Sequence, residues 1–148
     1  MSPFDRAFAH VIGHEGGFTR DESDPGNWTG GRVGAGRLRG TKWGISAAAY
    51  PQLDIEKLTL EDAKTIYRRD YWQRAKCDEL PEAVALCVFD AAVNHGPLQA
   101  VKLLQAAVGA ATDGYIGPDT LRRVRSLSER TVIEWFQAER ILFYTRLD

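Results

Sequence analysis

Apolar residues near the start of the chain fall on one side of a helix. With Ser2 as cap and Pro3 in the first helical position, the stripe runs through Phe4, Phe8, Val11 and Ile12, and its next position is Glu15. An ionised carboxylate is expensive to bury, so an acid at a core position takes a partner or holds its proton to higher pH. The negative end of the helix dipole acts in the same direction. A raised pKa is what a general acid needs.

The pattern then changes. Gly16 to Gly44 is polar and glycine-rich with scattered apolar residues, which predicts a long functional loop in which Arg32–Leu38 supplies a short hairpin or lip. Ser46 is placed to cap a short helix through Tyr50, ended by Pro51. Thr59-Leu60-Glu61-Asp62 resembles a capping box, and Ala63, Ile66, Tyr67 and Tyr71 follow at helical spacing to about Arg74. Pro81 opens a helix bearing Val84, Val88, Phe89, Ala92 and Val93, closed by Gly96. Pro97 opens another, with a stripe of Leu98, Val101, Leu104, Gln105 and Val108 that stops at Gly109. Residues 112–117 read as a turn, Pro118 starts a short helix to about Ser126, and Ser128 caps a last one through Phe143. The expectation is an all-α protein with one elaborate loop.

Composition narrows the classes. At 148 residues and 44% hydrophobic content the chain can bury one core, so a single domain over 1–148 is expected, as a monomer. Nineteen basic and twenty acidic side chains nearly cancel, which argues against nucleic acid or anionic membrane as a partner. No basic and apolar leader and no run of eighteen apolar residues occurs, so a soluble cytosolic product is expected. Cys77 and Cys87 lack zinc-site spacing and read as buried free thiols.

Candidate chemistry gathers around the loop. Most glycosidase mechanisms need a second carboxylate, and Asp21, Glu22 and Asp24 are near Glu15. Asp24-Pro25-Gly26 is also turn chemistry, and both readings stay open. Thr41 can orient a water, and Trp43 can floor a sugar, as can Trp28 and Tyr50, although core packing is the ordinary fate of such aromatics. His10 and His14, with His95, suggest a metal site, but the glutamate of the zinc-peptidase motif is misplaced and no metal is expected. Asp90 and Asn94 share one side of a helix and point to a hydrogen-bond network or a substrate contact. The arginines at 122, 123, 125, 130 and 140 read as a solvated face that can also meet an anionic wall.

Val11-Ile12-Gly13-His14-Glu15-Gly16-Gly17-Phe18, then Asp24-Pro25-Gly26 and Thr41-Lys42-Trp43-Gly44-Ile45-Ser46, resemble glycoside hydrolase family 108, the N-acetylmuramidase endolysins of phages and prophages. Phe18 stands where the family has tyrosine. Phe89–Gly96 is similar to a core helix of the family, and Asp113-Gly114-Tyr115-Ile116-Gly117 to a turn of small peptidoglycan-binding modules. The resemblance implies a lysozyme-like α fold, a catalytic lobe over 1–96 and a peptidoglycan-binding-like helical segment over 97–148. It implies Glu15, Asp24 and Thr41 as catalytic residues and Phe18, Trp43, Tyr50 and Asn94 as substrate contacts, with no cofactor.

The expected function is hydrolysis of the β-1,4 bond between N-acetylmuramic acid and N-acetylglucosamine in bacterial peptidoglycan. Two rivals are a lytic transglycosylase, which needs one glutamate, and a non-catalytic wall-binding or secretion-assisting protein. The resemblance implies synthesis in a host bacterial cytoplasm and access to the wall after holin-type release.

Overall fold

The computed structural model describes residues 1–13 and 17–146. Among them are six α-helices: α1 (Pro3–Ile12), α2 (Leu60–Tyr67), α3 (Glu82–His95), α4 (Pro97–Val108), α5 (Pro118–Arg125) and α6 (Glu129–Thr145). Among the described residues there is also a small antiparallel sheet of two-residue strands, β1 (Phe18–Thr19), β2 (Thr41–Lys42) and β3 (Ile45–Ser46), and an isolated antiparallel bridge between Trp28 and Leu38. The chain divides into two compact units, one of residues 1–7 with 67–148 and one of residues 8–66. The boundary expected at residue 96 lies inside the first of these. No helix among the described residues is long and apolar enough to cross a membrane.

Caps start the helices where side-chain chemistry predicts them. Ser2 and Asp5 exchange hydrogen bonds, the Asp5 N–H donating to Ser2 Oγ at 3.1 Å and the Ser2 N–H to Asp5 Oδ2 at 2.9 Å. Thr59 and Asp62 make the same box at the start of α2, at 3.0 and 3.1 Å. Ser128 Oγ accepts from the Thr131 N–H at 3.1 Å. Each pair satisfies donors that an open helix end would leave orphaned.

The first unit is built around α4, buried at seven of its twelve residues and packed against α3 and α6. Its aromatic cluster is Phe4, Trp72 and Phe89, whose rings meet edge to face at 5.4–5.8 Å. Trp72 reaches this cluster through a departure from the sequence expectation. Residues Arg68–Gln73 continue α2 as π-helix, and the wider i→i+5 turn carries the stripe from Tyr67 to Trp72, leaving Tyr71 half-buried. The indole N–H donates to Asp78 Oδ1 at 2.8 Å, so its polar edge is satisfied inside the core. Leu98 also departs from its expected stripe, standing 59% exposed on the first turn of α4.

Gln105 on α4 is 1% exposed and anchors the turn before α5. Its Oε1 accepts from the Gly114 N–H at 2.9 Å, and its Nε2 lies 2.8 Å from both Asp113 Oδ1 and the Tyr115 carbonyl, with Thr120 Oγ1 at 3.2 Å. Two hydrogens serve three acceptors, so the contacts are shared. Bonds from the Tyr115 N–H and from Gln105 hold the Asp113 carboxyl below the usual carboxylate range.

The second unit buries Phe8, Ile45, Ala47, Ile55, Leu58, Ala63 and Ile66. The helix expected from Ser46 to Tyr50 is instead a single turn leaving β3. The Tyr50 N–H bonds the Ser46 carbonyl at 3.0 Å and the Ala49 N–H bonds Ser46 Oγ at 3.2 Å, but the pattern stops there, at Pro51.

Replacing Gln105 by Met keeps the volume and strands the Gly114 N–H, so the unfolding free energy falls by about 2 kcal/mol. Denaturant melts read this loss, and hydrogen exchange speeds up first in residues 112–117. The lowered Asp113 pKa adds a pH dependence. Its contribution is complete above the ordinary aspartate range and disappears as pH falls through the depressed value, so the protection of this turn, measured against the intrinsic exchange rate at each pH, falls in acid.

Candidate active site

The three expected catalytic positions fall differently. Glu15, with His14 and Gly16, lies outside the described residues. Asp24 and Thr41 both lie in the second unit, joined through a residue that the sequence did not single out.

That residue is Asn27, 1% exposed at the end of the 3-10 turn Pro25–Asn27. Asp24 forms the turn: its Oδ1 accepts from the Gly26 N–H at 2.9 Å, and its carbonyl accepts from the Asn27 N–H at 3.1 Å. The Asn27 side chain then reaches both ways. Its Nδ2 donates to the Asp21 carbonyl at 2.9 Å, while its Oδ1 accepts from Thr41 Oγ1 at 2.7 Å. Its carbonyl takes the N–H groups of Arg39 and Gly40 at 2.9 and 3.0 Å. One buried asparagine thus ties the Asp24 turn to the start of β2. Its sequence signal was slight, a polar side chain two residues beyond Asp-Pro.

The direction of these bonds sets what Thr41 can do. Its hydroxyl hydrogen is given to Asn27, so its oxygen is left as an acceptor, suited to fixing a hydrogen of a nearby water. Asp24 is exposed, and its turn-forming role uses one oxygen. Among its neighbours, Asp21 Oδ1 accepts from both the backbone and the hydroxyl of Ser23, which holds the Asp21 carboxyl below the usual carboxylate range. Trp28, expected as a possible sugar floor, is half-buried and gives its indole N–H to the Glu22 carbonyl at 2.9 Å.

Gly40 is where the loop returns to the sheet. It is buried with φ +91°, and a Cβ there would stand 2.4 Å from the Thr19 carbonyl oxygen and 2.6 Å from Phe18 Cε1, so only glycine fits. Phe18 therefore lies against the backbone at Gly40. The β2–β3 hairpin pairs Lys42 with Ile45, leaving Trp43 and Gly44 as its two-residue turn, at φ +48° and +78°. Both central residues at positive φ mark a type I′ turn, which Asn-Gly suits and a bulky first residue does not. The ring of Trp43 is covered by Lys42 Nζ at 4.8 Å from its centroid, and that ammonium also donates to the Glu56 carbonyl at 2.8 Å. Tyr50 is half-buried in the turn after β3.

Asn94 lies in the first unit. It is exposed on α3, with Nδ2 turned back to the Asp90 carbonyl at 2.8 Å. Asp90 Oδ2 accepts from Arg140 Nη1 at 2.7 Å, and Arg140 Nε donates to His95 Nε2 at 3.3 Å. The network reading of Asp90 and Asn94 therefore describes their contacts, and Arg140 belongs to it rather than to a solvated face. Burial and the Arg140 charge lower the pKa of His95. Cys77 is buried and Cys87 half-buried, both free, and burial pushes both thiols up. No His, Cys, Asp and Glu cluster able to hold a metal occurs among the described residues.

Comparison with known proteins bears on this arrangement. No curated protein matches the chain. A solved structure, described as that of Brucella abortus SagA, is 33% identical and superposes with a TM-score of 0.79, over 97% of this chain and 80% of that one. The mostly helical, lysozyme-like fold expected from the resemblance is the one observed. The family profile described as Glycosyl hydrolase 108 matches residues 8–96, the stretch holding Asp24, Asn27, Thr41 and Trp43. The chain belongs to the glycosyl hydrolase 108 family.

Proposed function

We propose that this glycoside hydrolase cleaves the glycan strand of bacterial peptidoglycan, at the β-1,4 bond between N-acetylmuramic acid and N-acetylglucosamine. The observation that carries the reading is the Thr41–Asn27 hydrogen bond, which leaves a fixed acceptor oxygen beside the Asp24 turn, in the stretch matched by the family. Glu15 donates its proton to the leaving glycosidic oxygen as the bond to the muramic acid anomeric carbon breaks. A water held on Thr41 Oγ1 forms the new bond to that carbon, and its proton passes to a carboxylate, for which Asp24 is the candidate. Phe18, Trp43 and Tyr50, all in the second unit, offer aromatic faces to the sugars. The protein reaches the wall from the bacterial cytoplasm after holin-type release.

One observation favours a second reading. Asp24 is already engaged as a turn cap, which suits a reaction that needs only one carboxylate. In a lytic transglycosylase the muramic acid 6-hydroxyl, not water, closes on the anomeric carbon.

The proposal is tested by turbidity loss of purified peptidoglycan. Glu15→Gln lowers the rate by about 10²–10⁴-fold, the usual worth of a general acid, and a variant as fast as wild type contradicts it.

Asp24 separates by charge. Asn can still accept the Gly26 N–H, so Asp24→Asn keeps the melting temperature and loses activity if the carboxylate takes part in the reaction. Retained activity in Asp24→Asn, with about 1 kcal/mol of stability lost in Asp24→Ala, returns Asp24 to turn formation alone.

Trp43→Asn tests the hairpin tip. Relief of a strained φ is worth about 1 kcal/mol or more, which offsets the lost packing, so unfolding free energy holds or rises while KM for glycan rises several-fold. Lower stability with an unchanged KM assigns the indole to packing.

A further inference from the structure

A cavity of about 430 Å³ lies wholly within the first unit, between the end of the π-helical segment, the α3–α4 junction and the turn at Gly114. Its size is in the range of small-ligand sites. Its polar side chains, Arg74, His95 and Gln99, each carry a donor. Arg74 has no acceptor among the described residues, and neither has the Gln99 side-chain amide. His95 Nε2 accepts from Arg140, so the ring proton of the neutral imidazole sits on Nδ1, which also lacks an acceptor among the described residues. Among the described residues no carboxylate lines the cavity. The nearby acids are committed elsewhere: Asp90 to Arg140 at 2.7 Å, and Asp113 to Gln105 at 2.8 Å.

The apolar wall is small. Pro97 and the exposed Leu98 supply it, and Gly114 keeps Leu98 in place, since a Cβ there would fall 2.2 Å from Leu98 Cδ1. A Cβ on Gly96 would meet nothing within 4 Å, so the junction side is open space. A donor-rich, acid-free pocket with a short apolar wall suits an anion carrying a methyl-sized side chain, recognised by the planar guanidinium.

We propose that this cavity binds the terminal carboxylate of a short peptide ending in an alanine-sized residue, as the peptide stems of peptidoglycan do. The assignment rests on the reading of peptidoglycan as substrate. The lining residues Arg74, His95 and Gln99 are not among the groups proposed for catalysis, so the hold on the stem uses other side chains. The consequence is a preference for glycan strands that still carry their stems.

The test uses the full chain and acetyl-alanyl-alanine, with calorimetry or NMR titration as readout. The free acid binds, and its carboxyl amide binds at least about tenfold more weakly. Arg74→Met and Gln99→Leu each weaken the acid about tenfold, the scale of one charge-assisted contact, with melting temperatures unchanged because both side chains reach solvent. A dipeptide amide bearing a glutamate side chain separates the two carboxylates of a stem and binds no better than the plain amide. Equal binding of acid and amide, binding of the glutamyl amide as tight as the acid, or an unaltered Arg74→Met overturns the proposal. On stem-bearing peptidoglycan Arg74→Met raises KM and leaves kcat, while on stem-free strands it matches wild type; a kcat loss on both overturns the separate-site role. Cleavage with no peptide binding sinks the cavity alone, and peptide binding in a protein whose Glu15→Gln variant cleaves normally sinks the hydrolase reading alone.

Discussion

Asn27 is sealed from solvent; its side chain bonds residues 21 and 41, and its backbone bonds residues 24, 39 and 40. A buried amide left without partners would cost a few kcal/mol by order of magnitude, so the loop around it has little freedom to drift. The long segment between β1 and β2 holds few apolar side chains and cannot fold by burial. It is organised instead by backbone groups converging on one residue, with glycine where the backbone must approach closely, as at Gly40. The hairpin that carries Thr41 and Trp43 begins at this anchor. Chemistry proposed for Thr41 therefore depends on a side chain that does not itself meet solvent.

Helices were legible because their signals are local. The capping pairs Ser2–Asp5 and Thr59–Asp62, the Pro97 start and the Gly109 stop depend on residues within a turn of one another. Trp72 was not legible, because a π-helical turn adds a residue to the period and moves the buried stripe off the 3.6-residue spacing. The Ser46 turn looked like a helix for a related reason: its cap is real, but Pro51 arrives before a second turn can form. Asn27 was missed because satisfying a buried amide is not a local matter: its partners are the Asp21 carbonyl and the Thr41 hydroxyl, the second far along the chain.

The candidate site shows the same division. Asp24 and Thr41 were readable as residue types in a recognisable order, and the structure links them, yet it was not readable that the link passes through Asn27. Asp24-Pro25-Gly26 was open to turn formation as well as catalysis, and the cap shows that the turn role is real without excluding the second. Trp43 adds a different kind of evidence. A bulky residue at positive φ in a turn that favours asparagine is locally unfavourable, and such strain persists where the side chain is useful in that position. The Gln105-anchored turn, read from sequence as similar to a wall-binding motif, directs its polar groups inward and gives the cavity at Gly114 one fixed edge.

In the proposed reaction water, fixed by an Asn27-held Thr41, is the group that attacks the muramic acid carbon. Digestion of purified peptidoglycan in ¹⁸O-labelled water, followed by mass spectrometry of the new sugar ends, tests it directly. Hydrolysis by that water gives reducing muramic acid ends that carry the heavy oxygen in wild type, and these are lost in Thr41→Val. Unlabelled 1,6-anhydro ends, or no new ends, would contradict it.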